Sequence, residues 1–328
     1  RVFEKIHSEK ELSEASLVYS FGMFYQGNKP FVVDLVDVPF SLTGNSYELF
    51  VKNKKVVENY ISRENCKKIL CPNETAFDFM KNNFNEKVGN KLTMVRQAIS
   101  PIKYTPNKEK FNKKHKIKIL FMGSINNPED FYMKGGLEAI CALKKLEKKY
   151  DVEFIMRCKL PLRVKEFIGK NKNIRLIEEE IPFEEIIRLY SSSDILLMPY
   201  HQYIIMVTLE GMYFGLPMVT INSYGVKDYL KNNYNAFLVE PSDELKKYYK
   251  NPSYPNIIRS KKFIKYVWSF DEEIINGLAE KVKLLIENPL LRKKMGENGK
   301  EIIRKKFSIE VRNKALKQIF DNIIHKKH

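Results

Sequence analysis

Residues 194–225, DILLMPYHQYIIMVTLEGMYFGLPMVTINSYG, restrict the possible folds more than any other stretch of this chain. Asp194-Ile195-Leu196-Leu197-Met198 is an apolar run of strand length, set between serines and a proline, as a strand buried on both faces requires. Pro199-Tyr200-His201-Gln202 breaks that run and predicts a loop. Met206 to Phe214 has helical spacing and stops at Gly215, and Met218-Val219-Thr220-Ile221 is the next strand. Strand, loop, helix and strand make one βαβ unit, so the sheet is parallel. Ligands of such sheets gather where strand carboxyl ends meet helix amino ends. The first helical turn there carries unpaired N–H groups and partial positive charge, which suits a phosphate. Glu210, inside the same helix, is placed to reach a ribose diol.

The same alternation runs through both halves. Strands are predicted at 17–21, 31–36, 68–71 and 92–95, with helices at 47–65 and 75–82. Residues 100–115, polar and lysine-rich with Pro101 and Pro106, read as a linker. The pattern restarts with strands at 117–122, 152–156 and 174–177 and helices at 136–149, 163–170 and 183–191. Residues 241–266 suggest no chemical role, and helices are predicted at 271–287, 289–306 and 308–324. The domains expected are residues 1–106, residues 107–306, and a closing helical segment at 307–328. At 328 residues the chain has ample length for two cores.

The four cysteines, Cys66, Cys71, Cys141 and Cys158, show no metal-site pairing and read as reduced core residues of a cytoplasmic protein. With 57 Lys and Arg against 40 Asp and Glu, the formal charge is +17. That excess fits a lysine-rich solvated surface, attraction to an anionic membrane surface, or a nucleic-acid partner. No zinc-finger spacing, RNP strand or KH-type loop accompanies it, so no nucleic-acid partner is expected.

Several positions have a chemical reading beside a plain one. Gly123-Ser124, followed by Lys134-Gly135-Gly136, comes after the first strand of the second half. A glycine there lets backbone approach a ligand and Lys134 can meet a phosphate as a point charge; equally, this is a strand–turn–helix connection with a surface lysine. Glu210 needs a partner on its apolar helix, either a pair of ligand hydroxyls or a structural group. His201 has no visible partner and reads as a loop residue. Asp37 ends the second strand, either as a cap or as a group facing a cleft between domains.

Taken together, the stretches ILFMGSINNPEDFYMKGGLEAICALKKL, NIRLIEEEIPFEEIIRLYSSSDILLMPY and LEGMYFGLPMVTINSYGVKDYLKNNYNAFLVEP resemble the retaining glycosyltransferases of the GT-B fold, family 4. The resemblance covers roughly residues 30–328. It implies an α/β protein of two Rossmann-like, doubly wound domains facing a cleft, with a C-terminal helix crossing back to the first. It implies that Lys134 holds the donor diphosphate and Glu210 the ribose. Ile181 would border the base, and the N–H groups near Met206 and Val207, with Gly123 and Ser124, would line the diphosphate and sugar. Gln202 stands where the family has the first acid of its E-x7-E motif, Ser124 where it has a phosphate-binding arginine, and Val36-Asp37 where a histidine is frequent. Tyr203-Ile204-Ile205 replaces its glycine–aromatic–glycine. The activity implied is transfer of a sugar from a UDP- or GDP-linked donor to a glycan, lipid or other acceptor. No metal or other cofactor is expected, and an anionic membrane surface is a further partner. The alternative is a GT-B-like binding protein with weakened catalysis, recruited to a membrane or partner.

Overall fold

The structure, a computed structural model, describes residues 14–36, 42–43, 47–105, 116–201, 204–249, 261–269 and 271–325. The chain divides into two compact units. One holds Arg1–Ala98 and Lys306–His328, the other Ile99–Lys305.

The first unit is a parallel sheet in the order β1 (Val18–Phe21), β2 (Phe31–Asp34), β3 (Cys66–Cys71) and β4 (Leu92–Met94). Central β2 is buried on both faces, so its alternate side chains join different cores. Phe31, Val33 and Leu35 pack with Val57 and Ile61 of α1 (Tyr47–Ser62) and Phe79 of α2 (Glu74–Asn83). Val32, Leu70 and Val95 form the opposite face, covered by Leu316, Ile319, Phe320 and Ile323 of the last helix, Ile309–His325. That helix is held by Arg312, which donates to the carbonyls of Val95, at 3.2 Å, and Arg96, at 2.6 Å. Arg312 also pairs with the buried Asp34 carboxylate, to which Tyr19 donates as well.

The second unit contains β5 (Ile117–Met122), β6 (Val152–Arg157), β7 (Ile174–Ile177), β8 (Ile195–Leu197), β9 (Met218–Ile221) and β10 (Ala236–Val239). All pair in parallel, in the order β10-β9-β8-β5-β6-β7. Strand order reverses between β5 and β8. The crevice beyond their carboxyl ends is the topological switch point where doubly wound sheets bind ligands. Its walls are the connection from β5 to α5 (Gly136–Leu146) and the connection from β8 to α8 (Met206–Tyr213). As the spacing predicts, the α8 turn closes on Gly215, whose φ of +70° lies in the left-handed region.

Residues 99–105 belong with this unit. The Ile102 N–H donates to the Tyr213 hydroxyl at 2.8 Å, and the Tyr104 ring lies 4.6 Å from Phe214. The 241–266 region supplies two short helices, Asp243–Tyr249 and Lys261–Val267. The cysteines are free thiols, Cys66, Cys71 and Cys158 being buried. Burial pushes all three up to about 12 and so keeps them as neutral thiols. Among the described residues no helix is long and apolar enough to cross a membrane.

Candidate active site

The two walls of the switch point are fastened to each other. The His201 N–H donates to the Met133 carbonyl at 2.9 Å. Gly135, at φ +70°, lies so close to the Pro199 carbonyl that a Cβ there would collide with it. A Cβ on Gly136 would strike the Phe131 ring. The glycine pair therefore brings the Lys134 turn against the Pro199 loop, which no larger residue allows.

Lys134 closes the short helix Asp130–Met133 and is half-buried. Among the described residues its ammonium has neither a hydrogen-bond nor an ion-pair partner. Burial lowers its pKa, nearby Asp130 and Cys158 oppose that, and the Arg157 charge adds to it. Glu210, on the second turn of α8, accepts a 2.7 Å hydrogen bond through Oε2 from the Tyr190 hydroxyl. Tyr190 is fully buried in α7 (Phe183–Ser192) and stacks on Phe214 at 5.3 Å. The tyrosine thus fixes one oxygen and leaves Oε1 with no hydrogen bond among the described residues. Burial raises the Glu210 pKa, against the Tyr190 hydrogen bond and the Arg157 charge. One oxygen of Glu210 therefore has a structural partner, and the other is left as an acceptor among the described residues.

Met206 and Val207 open α8, and Ile205 provides no side-chain cap, so their N–H groups have no acceptor within the helix. Ile181 lies in the loop from β7 to α7, half-exposed. Ser124 Oγ accepts from the Asn126 N–H at 3.3 Å, and its carbonyl accepts from Lys159 N–H at 2.8 Å. Gly123 also has a packing reason to be glycine. A Cβ there would collide with the Cys158 side chain, so the packing of β6 onto this turn explains the residue. Gln202 and Asp37 lie outside the described residues. The structure thus brings Gly123, Ser124, Lys134, Met206, Val207 and Glu210 to the carboxyl ends of β5 and β8.

Two residues were missed or misread from sequence. His201 is buried rather than an unpartnered loop residue. Its Nε2 lies 2.9 Å from Glu138 Oε1 and its Nδ1 lies 2.7 Å from the Tyr249 hydroxyl. One tautomer satisfies both contacts, with Nε2–H donating to the carboxylate and Nδ1 accepting from the tyrosine. Tyr249 belongs to the stretch for which sequence offers no role. Arg157, the last residue of β6, also drew no attention; its charge acts on Lys134, Glu210 and Tyr190.

A six-stranded parallel sheet whose switch point presents a lysine unpaired among the described residues, an open helix end and a half-satisfied carboxylate is a unit of the doubly wound class. Residues 116–250 match the family described as Glycosyl transferases group 1, and the chain has the GT-B fold. It is 23% identical over 316 residues to an uncharacterized glycosyltransferase, MJ1178, of Methanocaldococcus jannaschii, covering 94% of this chain and 75% of that one. Among solved structures it is similar to the sucrose-phosphate synthase of Thermosynechococcus elongatus, with a TM-score of 0.68 at 12% identity over 97% of this chain and 76% of that one. It is also similar to Anabaena HepE in complex with UDP and glucose, with a TM-score of 0.63 at 13% identity over 95% and 79% of the two chains.

Proposed function

We propose that this protein transfers a sugar from a nucleoside diphosphate sugar to a glycan, lipid or other acceptor, with retention at the anomeric carbon. The observation that carries the reading is Lys134, a half-buried cation with no partner, held at the switch point by the Gly135–Pro199 contact. Such a charge is costly to bury alone and is relieved by a bound anion. Its place across the crevice from the open end of α8 suits a diphosphate. HepE, whose structure holds UDP and glucose, has a similar fold, and a UDP-linked donor is one of the two classes proposed.

In the reaction the bond between the anomeric carbon and the diphosphate oxygen breaks, and a bond from the acceptor oxygen to that carbon forms. The acceptor proton passes to the departing diphosphate. Lys134 and the α8 amino end stabilise the charge that grows on that group, by electrostatics in place before the reaction. Glu210 Oε1 accepts from the ribose diol while Tyr190 holds the carboxylate in place. Gln202 would hydrogen-bond the sugar, Ile181 would border the base, and Asp37 would face the acceptor. This cation and the helix dipole would stabilise the leaving group without a metal. The basic surface would draw the enzyme to an anionic membrane from the cytoplasmic side, which predicts co-sedimentation with phosphatidylserine vesicles that falls as salt rises. Equal recovery with neutral vesicles would remove that proposal.

The test is a transfer assay with a panel of UDP- and GDP-sugars, run on the native chain and on Lys134→Ala. Loss of an electrostatic stabiliser of this kind costs roughly 100- to 1,000-fold in turnover. The variant should fold as the native chain does, because Lys134 has no partner to lose. Unchanged transfer in Lys134→Ala would sink the mechanism.

A further inference from the structure

Arg157 stands at the carboxyl end of β6, directly beside the turn that follows β5. Met122 and Arg157 are register partners, and the hydrogen bonding continues past the strands. The Gly123 N–H donates to the Arg157 carbonyl at 2.8 Å, and the Lys159 N–H to the Ser124 carbonyl at 2.8 Å. The backbone that carries Arg157 is therefore as firmly placed as the strand itself. Its side chain is not committed in the same way. Nε is buried without a partner, and among the described residues the guanidinium makes no hydrogen bond or ion pair. An arginine can donate five N–H bonds, and a buried N–H left unmade is costly.

The surroundings say what would satisfy it. Its charge acts on Lys134, also unpartnered among the described residues, and on Glu210. Two neighbouring cations without hydrogen-bonded acids repel each other, and an anion between them removes that repulsion. Ser124 adds no charge, and its hydroxyl is engaged by the Asn126 N–H. Glu210 offers its free oxygen to a ribose under the proposed function, so the phosphate next to that ribose falls on the Arg157 side and the distal phosphate on the Lys134 side. A planar fork of N–H groups fits a phosphate's paired oxygens better than an ammonium does.

We propose that Arg157 binds the ribose-proximal phosphate of a nucleoside diphosphate, while Lys134 binds the distal one. This rests on the function proposed above and assigns a binding residue from β6 to it.

The experiment is a ligand ladder measured by calorimetry: uridine, UMP and UDP, with guanosine, GMP and GDP in parallel. The proteins are the native chain, Arg157→Met, Arg157→Lys and Lys134→Ala. Arg157→Met should lose roughly 10- to 100-fold of the affinity gained from nucleoside to monophosphate. Lys134→Ala should keep that gain and lose the gain from monophosphate to diphosphate. Arg157→Lys, with the charge but not the fork, should fall between. The thermal midpoint of unliganded Arg157→Met should equal or exceed the native value, since an unpaired half-buried cation is removed; a fall of several degrees would mark Arg157 as structural and overturn the assignment. A full monophosphate gain in Arg157→Met also overturns it, leaving the proposed function standing. A native chain that gains nothing from either phosphate overturns both.

Discussion

Removing the His201 imidazole tests how the β8 loop is held. His201 and Glu138 are each 1% exposed, and their 2.9 Å contact joins the loop to the first turn of α5. In His201→Ala the Glu138 carboxylate keeps no hydrogen bond at Oε1, and its Oε2 already has none. The Tyr249 hydroxyl loses its 2.7 Å partner at the same time. Breaking a buried, hydrogen-bonded pair that includes a charge costs about 3–5 kcal/mol. The penalty comes mostly from the stranded carboxylate rather than from the lost contact. Replacing both partners with apolar residues of similar volume, as in Glu138→Met with His201→Leu, should therefore recover most of the loss. Tyr249→Phe, which removes one neutral donor, should cost only about 1 kcal/mol. The assay is urea unfolding of the native chain, these variants and the single substitutions Glu138→Met and His201→Leu, with hydrogen exchange of the Gly136–Leu146 amides as a local probe. His201→Ala should also weaken nucleotide binding: it keeps the backbone N–H bond to the Met133 carbonyl but loses the ring contact to Glu138 that holds the same loop beside the Lys134 turn. If the losses from Glu138→Met and His201→Leu simply add, within ~0.5 kcal/mol, the two side chains are not coupled and the reasoning fails.

Other perturbations test the remaining charges. Burial raises the Glu210 pKa above its unfolded value, so its protonated form favours folding. That contribution is whole below the ordinary carboxylate range and is lost as pH rises through the raised value. Glu210→Gln should therefore be more stable than the native chain at pH 7 and lose that advantage in acid, while binding ribonucleotides less well; equal melting curves at both pH values would contradict this. Nucleotide affinity in the native chain should fall on the acid side above the usual carboxylate range, as Glu210 protonates, and on the alkaline side below the usual lysine range, as Lys134 loses its proton. Lys134→Arg should abolish the alkaline limb, and calorimetry across pH will show whether it does. In the first unit, Asp34→Asn removes the carboxylate that pairs with Arg312. Arg312 keeps its two carbonyl acceptors, so the expected cost is on the order of 2 kcal/mol. It should appear as faster amide exchange in the last helix, and unchanged exchange there would show that the ion pair does not hold the helix.

The parallel sheets were legible where their central strands are buried on both faces, as β2, β8 and β9 are. Ile117–Met122 and Ile195–Leu197 stand out as short apolar runs between turn residues, and little else in a soluble chain produces that pattern. Helix ends were legible where one residue type decides them, as Gly215 does through its positive φ. The partners of His201 were hidden for a physical reason. Glu138 lies 63 residues before it and Tyr249 lies 48 after, and no local periodicity encodes a meeting at that range.

Arg157 was hidden for a different reason. A single arginine at a strand end looks like any solvated cation until the strand order places β6 beside β5. The same holds for Gly123, whose need for a missing Cβ comes from Cys158 on the neighbouring strand. Sequence supplies the residue types in a crevice, whereas topology decides which of them lack a partner. Lys134 and Arg157 have unmet hydrogen-bonding capacity, and Glu210 has half of its own unmet. His201, whose ring contacts are satisfied on both sides, holds the loop beside them in place. Under the proposed function this difference separates the groups that bind from the group that positions: a buried polar side chain already paired within the protein has least to gain from a ligand, and one left unpaired has most.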